Sequence, residues 1–243
     1  MFSFFKKRID KNLPLFSNIH TDFHSHLIPG VDDGSPDIES SIFYIKELVK
    51  LGFKKIITTP HVMSDFYPNT SEKLLEGYYL LKKHLEEQSV EVEFGLGAEY
   101  FLDENFDNIL SQNQILSFGN NHVLIEMSFI EPYRELHQVV FNLISKGYTP
   151  ILAHPERYPY FANKLKKLNE IKDMGCLFQV NTLSLTNYYG TTVQKLALQL
   201  FANNMVEFIS TDLHHKRHLE ALQNFPVDKQ KLIEKSNLLN NTL

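Results

Sequence analysis

Tryptophan is missing from this 243-residue sequence, and cysteine occurs once, at Cys176. A single thiol excludes an internal disulfide framework and fits a reducing compartment. Long apolar runs are also lacking, with none near the roughly 18 residues that a membrane-spanning helix needs. The opening segment "MFSFFKKRIDKNLPLF" carries Lys6, Lys7 and Arg8. It has no continuous apolar core and no small-residue cleavage site, so no signal peptide is expected. The expectation is a segment packed on the domain, with a membrane-surface or partner contact as the alternative. There is no excess of positive charge: the formal net charge of −5 leaves no basic footprint for nucleic acid. Neither a G-x-x-x-x-G-K-[ST] phosphate loop nor a G-x-G-x-x-G fingerprint occurs. "FGLGAEY" holds only G-x-G, and its glycines are expected to let backbone pass close to a site.

What is present suits one large domain. Hydrophobic residues make up 43% and charged ones 22%, enough to bury a full core around a solvated surface. Residues 1–243 are expected to form a single domain, with 1–18 as an N-terminal extension and 225–243 as a short helix and a frayed tail. Between these, short β-rich runs alternate with helical patterns. Ser35-Pro36 reads as a helix start, followed by Ile38, Ile42, Ile45 and Val49 at helical spacing and closed by Gly52. Seven strand-like runs can be counted: "NIHTDFH", "KKIITTPH", "VEVEFGLGAEY", "HVLIEMSF", "TPILAHPE", "CLFQVNT" and "VEFISTD". Each leads into a helix or helical turn. Such alternation implies a parallel sheet with right-handed crossovers.

The stretch "TDFHSHLIPGVDDG" packs two histidines and three aspartates into fourteen residues. The other runs end in the same chemistry. His61 closes the second, Glu99 the third, Glu126 the fourth, His154 the fifth and Asp212 the seventh. In a barrel such ends converge on one face, whereas an open sheet would spread them along a line. His24 and His26, two apart on a strand, leave the same face. A set of His, Asp and Glu aimed at one cavity is suited to a site with more than one metal, since imidazole binds zinc, iron or manganese and carboxylates bridge harder ions.

In order along the chain, "DFHSHLIPGVDDG", "TTPH", "GAEY", "LIEMSF", "AHPERY" and "STDLHH" resemble the motifs of the polymerase and histidinol phosphatase (PHP) superfamily of metal-dependent phosphoesterases. The resemblance runs from about Ile19 to Arg217. It is strongest to the branch of bacterial protein-tyrosine phosphatases that act on capsule and exopolysaccharide tyrosine kinases. It implies an α/β fold, a distorted (β/α)7 TIM-like barrel with its metal site at the C-terminal ends of the strands. By matching motif, His24, His26, Glu99 and Asp212 look like ligands of a first metal. Glu99 would bridge to a second, held also by Glu126 and His154, and Asp33, His61 and His214 would hold a third. Two to three divalent ions are thus implied, manganese first, with iron, zinc and magnesium as alternatives. The implied partner is a phosphotyrosine protein, a membrane-associated tyrosine kinase, met on the cytoplasmic side of a bacterial membrane.

Clustered divalent ions lower the pKa of a water and neutralise phosphoryl oxygens, so the expected reaction is phosphomonoester hydrolysis by a metal-activated hydroxide. Arg157, three residues past His154, offers a planar fork for phosphate, in line with the resemblance. Arg217 is a second candidate clamp, at a spacing the motifs do not match. A cysteine-dependent route is excluded, because Cys-x5-Arg would need arginine where Thr182 stands; Cys176 is expected in the core. His20, His84, His122 and His137 match no motif and are read as structural or exposed. Phe129 and Tyr133 border either a groove for an aromatic ring or a packed rim. Asn181, ending the ligand-free sixth strand, is expected either to support the site by a hydrogen bond or to play no part. Tyr188, Tyr189 and Gly190 should form a loop over the same face. The alternatives left open are a small-molecule phosphatase such as one for histidinol phosphate, a phosphodiesterase or nuclease, and an inactive metal-bound module.

Overall fold

A computed structural model describes residues 14–243; the calls on Lys6, Lys7, Arg8 and the rest of 1–13 lie outside the described residues. Of the expected extension, Phe16 is buried and stacks on Phe53 with ring centroids 5.3 Å apart.

The seven expected strand runs appear as nine parallel strands. These are β1 (Thr21–Asp22), β2 (Lys55–Thr58), β3 (His61–Val62), β4 (Glu93–Leu96), β5 (Glu99–Phe101), β6 (His122–Glu126), β7 (Thr149–Ala153), β8 (Leu177–Asn181) and β9 (Phe208–Ser210). The second and third runs are each broken in two. Pro60 separates β2 from β3, and a proline cannot donate to a ladder. Gly97 and Ala98 separate β4 from β5. The ladders accordingly form two sheets, ordered β1-β2-β4 and β3-β5-β6-β7-β8-β9.

Single hydrogen bonds extend the first sheet beyond β1 and β2 and join it to the second at the level where the polar residues gather. The Thr59 N–H donates to Ser25 O (2.8 Å), the His26 N–H to Leu213 O (2.9 Å), and the Asp212 N–H to His24 O (2.7 Å). Ser25 and Leu213 form a parallel bridge. The ring of seven units is therefore tied at its C-terminal face, in a distorted barrel.

Seven helices follow strands or cover the barrel between them: α1 (Ile38–Leu51), α2 (Ser71–Glu87), α3 (Phe106–Ser111), α4 (Leu136–Ser145), α5 (Leu165–Asp173), α6 (Thr191–Ala202) and α7 (Lys216–Gln223); α8 (Val227–Glu234) lies in the tail. The start expected at Ser35-Pro36 is displaced. Asp37 caps α1, its carboxylate accepting from Ser40 N–H at 2.8 Å. Ser35 is occupied elsewhere, donating its N–H to His26 O and receiving the Ser41 hydroxyl at 2.8 Å.

The barrel interior below the polar layer is an apolar plug of Phe23, Ile57, Phe118, Leu124, Ile151, Ala153 and Phe208. Strand alternation carries the same face upward, from Leu124 to Glu126 and from Ile57 through Thr59 to His61. The glycines of "FGLGAEY" serve this plug rather than the site. A Cβ on Gly97 would meet Phe118 Cδ1 at 2.6 Å and Thr59 Cγ2 at 3.2 Å, and one on Gly95 would meet Ile57 at 3.3 Å.

The tail is not frayed as expected. Asn240 is buried, donates to Thr21 O (2.9 Å) and Ile209 O (2.7 Å), and accepts from Ile209 N–H (3.1 Å). It thereby clamps β1 to β9 from below. Asn240→Ala should remove about 1–3 kcal/mol of stability by orphaning these groups, read as a lower denaturant midpoint with the metal content held constant. Cys176 is buried in the core, and burial pushes its thiol up to about 12. It should resist a disulfide thiol reagent in the native protein and react at once in denaturant.

Candidate metal centre

The C-terminal strand ends, with the turns that follow them, bring together all nine residues expected as ligands. His24 Nε2 lies 3.1 Å from Glu99 Oε2 and 3.3 Å from Asp212 Oδ1, and His26 Nε2 lies 3.4 and 3.5 Å from the same two oxygens. On the other side of the same carboxylate, His154 Nε2 is 3.3 Å from Glu99 Oε1 and 3.5 Å from Glu126 Oε1. Asp33 Oδ1 lies 3.6 Å from His61 Nε2 and 3.7 Å from His214 Nε2. His61 Nδ1 also faces Glu99 Oε2 at 3.1 Å. Atoms that share one ion at bond lengths of about 2.1 Å stand about 3.0–3.5 Å apart. The first two groups have that spacing, and Glu99 turns one oxygen to each.

Protonation states decide what these contacts are. The His24 Nδ1–H donates to Gln179 Oε1 at 2.9 Å, the His26 Nδ1–H to Asp32 Oδ2 at 2.8 Å, and the His214 Nδ1–H to Asp212 O at 2.9 Å. In the neutral ring each proton is then on Nδ1, and the Nε2 lone pair points at a carboxylate or towards one. Lone pair against carboxylate is repulsive unless a cation stands between them. The buried polar atoms that find no hydrogen-bond partner include His24 Nε2, His26 Nε2, His61 Nδ1, both oxygens of Glu99 and Asp212 Oδ1. These atoms belong to one cluster, and the donor set of imidazole nitrogens and carboxylate oxygens fits divalent metal ions.

Charge balance points the same way. Burial drives Glu99 up, and only positive charge beside it, on the His24 and His61 rings when protonated or on a bound cation when they are neutral, holds it well below the ordinary carboxylate range. Glu126 is pushed well above that range by burial and by the negative charge of Glu99. Two neighbouring carboxylates forced apart in this way are a set for which bound cations provide the compensation.

The local backbone explains how they meet. His154 and Asp212 take left-handed conformations at φ 33° and 51°, uncommon for residues with a side chain. The chain leaves β7 and turns at once into the short 3-10 turn Pro155–Arg157, so His154 is swung inward. Gly34 lets the Asp32–Asp33 turn lie against the first strand, since a Cβ there would sit 2.3 Å from His26 O. Within that turn the two acids divide the work. Asp33 is exposed and lines the cavity. Asp32, the alternative to Asp33 in "DDG", has a buried side chain that accepts from the His26 ring, the Gly34 N–H (3.0 Å) and the His61 N–H (3.0 Å). Its adjacency to Asp33 was the available signal.

Strand β8, the sixth of the expected runs, holds no candidate ligand but supports two. Gln179 Nε2 donates to Asn181 Oδ1 at 2.8 Å, and Asn181 Nδ2 donates to Asp212 Oδ2 at 2.6 Å. Asn181 therefore hydrogen-bonds to the cluster from behind. Asp212 Oδ2 also receives Arg157 Nη1 at 2.9 Å. Arg157 faces the cavity, with its guanidinium 5.0 Å from the Phe129 ring and 4.6 Å from that of Tyr189.

Arg217 is a different matter. It is exposed on the first turn of α7 and does not line the cavity, whereas His215 and His218, left unassigned in the sequence, do. The helical turn swings position 217 outward and 218 inward, which the loop-like motif "STDLHH" did not show. Of the two aromatic candidates Phe129 lines the cavity. Tyr133 instead reaches Asp103 O outside it, at 3.5 Å. Among the remaining histidines, His84 pairs with Glu87 on the surface at 3.3 Å and His122 packs between Phe118 and Phe208.

A parallel βα barrel carrying a His, Asp and Glu cluster at its C-terminal face defines the class. The family follows from comparison. Residues 20–223 match the family described as capsular polysaccharide synthesis, CpsB/CapC, and the chain belongs to that family. It is 29% identical over 195 residues to the tyrosine-protein phosphatase YwqE of Bacillus subtilis, covering 80% of this chain and 77% of that one. A crystal structure from work on YwqE and on CpsB of Streptococcus pneumoniae, described as metal-dependent tyrosine phosphatases, superimposes with a TM-score of 0.76. It is 26% identical, over 91% of this chain and 94% of that one. Histidinol phosphate phosphatase of Lactococcus lactis shares the fold at a TM-score of 0.56 and 17% identity, over 90% of this chain and 94% of that one.

Asp32→Asn should weaken binding of added Mn²⁺ or Zn²⁺ about 10–100-fold by freeing the His26 ring, measured by titration calorimetry, with the far-ultraviolet spectrum unchanged.

Proposed function

We propose that the protein is a metal-dependent protein-tyrosine phosphatase that acts on a tyrosine kinase of capsule or exopolysaccharide synthesis. The observation that carries the reading is the convergence of imidazole lone pairs on Glu99 and Asp212, in a cavity that also holds Arg157. Membership of the CpsB/CapC family and the names of its relatives support the substrate class.

In this reading His24, His26, Glu99 and Asp212 hold one divalent ion. Glu99, Glu126 and His154 hold a second, and Asp33, His61 and His214 a third, with manganese the expected metal. Bound ions supply an activated water nucleophile and positive charge for the phosphoryl oxygens. The residues of the chain do the rest. Arg157, held by Asp212 and covered by the Tyr189 ring, binds the non-bridging phosphate oxygens through its remaining N–H groups. Asn181 and Gln179 hold Asp212 and His24 in place, so the cluster is set before substrate arrives. Tyrosinate, with a pKa near 10, leaves more readily than an alkoxide and demands little of a general acid.

Among the described residues no helix is long and apolar enough to cross a membrane. The reading places the enzyme in the cytoplasm, meeting the membrane through its partner kinase.

The test is phosphate release from a phosphotyrosine peptide with and without added Mn²⁺. Release should require metal, stop with chelator and return on adding Mn²⁺, and disappear in His154→Ala. Metal-bound protein that releases nothing from the peptide, or that prefers histidinol phosphate, overturns the proposed substrate. Arg157→Ala should lower kcat/KM about 10²–10³-fold, by analogy with loss of one preorganised transition-state donor. Arg157→Lys should not restore it, because a point charge cannot replace a planar fork.

A further inference from the structure

Ten of the eleven residues lining the metal cavity are His, Asp, Glu or Arg; the eleventh is Phe129. Phe129 is 41% exposed, in a cavity whose other lining residues are all ionisable. Its position is not left to chance. The loop that carries it follows β6 directly, and its backbone is held at two points by buried or half-buried tyrosines. The Met127 N–H donates to Tyr158 Oη at 3.0 Å, and the Tyr160 hydroxyl donates to Ser128 O at 2.8 Å. The ring itself lies nearly parallel to that of the candidate ligand His154, at 17° with centroids 5.8 Å apart, and packs against Tyr158 at 5.5 Å. The Arg157 guanidinium lies over it at 5.0 Å. One aromatic group thus lies beside both a candidate ligand and the candidate phosphate-binding arginine.

A bland role is available, in which Phe129 only braces Arg157. Two features speak for more. Tyr189 already covers the same guanidinium, and more closely, at 4.6 Å. A brace would also be buried, and Phe129 stays 41% exposed while lining the cavity. We infer that Phe129 is the specificity-determining residue for the aryl group of the substrate: its open ring surface receives the phenyl ring attached to the phosphate. The inference rests on the phosphotyrosine reading of the site and adds the residue that distinguishes an aryl from an alkyl phosphate. Offset or edge-to-face packing of two rings, with the water released, is worth about 10-fold in affinity. An alkyl phosphate of serine or threonine gains little of this, because it has no ring to present.

The experiment separates ring recognition from leaving-group chemistry by using phosphonates, which are not hydrolysed. Phenylphosphonate and methylphosphonate are titrated against the manganese-loaded wild type, Phe129→Ala and Phe129→Tyr. The wild type should bind the phenyl compound about 10-fold more tightly. Phe129→Ala should lose that preference while its affinity for methylphosphonate changes less than threefold, and Phe129→Tyr should retain it. Equal affinity of the wild type for the two compounds overturns the inference. So does a parallel loss of both in Phe129→Ala, the signature of a brace for Arg157. The phosphotyrosine reading fails separately, if wild type binds phenylphosphonate tightly yet releases no phosphate from a phosphotyrosine peptide.

Discussion

Glu99 is fully buried, with both carboxylate oxygens turned toward imidazole nitrogens on two sides and no hydrogen bond to either oxygen. Taking one such charge out of water costs several kcal/mol unless opposite charge is supplied, and histidines whose protons are held on Nδ1 do not supply it when neutral. This constraint organises the face of the barrel. The Gln179–Asn181–Asp212 chain, the Asp32 turn and the Gly34 contact all serve to aim nitrogen and oxygen lone pairs inward. A cluster arranged in that way is stable when cations occupy it, which couples metal binding to the integrity of the site.

The barrel is distorted for reasons that can be assigned to residues. Pro60 and the Gly97–Ala98 pair break two strands, and the broken halves belong to different sheets. The breaks fall just before His61 and Glu99, which then face each other as register partners on β3 and β5. The single hydrogen bonds from His26 and Asp212 close the ring between β1 and β9, where the ladders do not. The interruption and the site are therefore two aspects of one arrangement.

Most of the site was legible in the sequence because strand periodicity carries it. A residue at the end of a parallel strand has a determined place in a barrel, so His61, Glu99, Glu126 and His154 could be named from position alone. Residues whose role depends on turns were not legible to the same degree. Asp32 and Asp33 are chemically identical neighbours, and only the turn through Gly34 sends one to His26 and the other to the cavity. Arg217 and His218 are likewise neighbours, separated by the 100° step of a helix whose start the motif did not reveal. The φ of 51° at Asp212 and 33° at His154 leaves no mark on a residue's identity when the residue is not glycine.

By itself the sequence determined the kind of chemistry and the order of elements: alternating strand and helix, ligand-type residues at six of seven strand ends, and no thiol route to phosphoryl transfer. Those follow from local periodicity and from side-chain chemistry, which a chain carries in any conformation. Tertiary structure decided which atoms face one another. That includes the tautomers of His24, His26 and His214, the two-sided contact of the buried Glu99, the burial of Asn240 under β1 and β9, and the placing of Phe129 in the lining of the cavity. Each of these depends on groups far apart in the chain meeting within about 3–6 Å, and spacing along a strand or helix contains no information about such meetings.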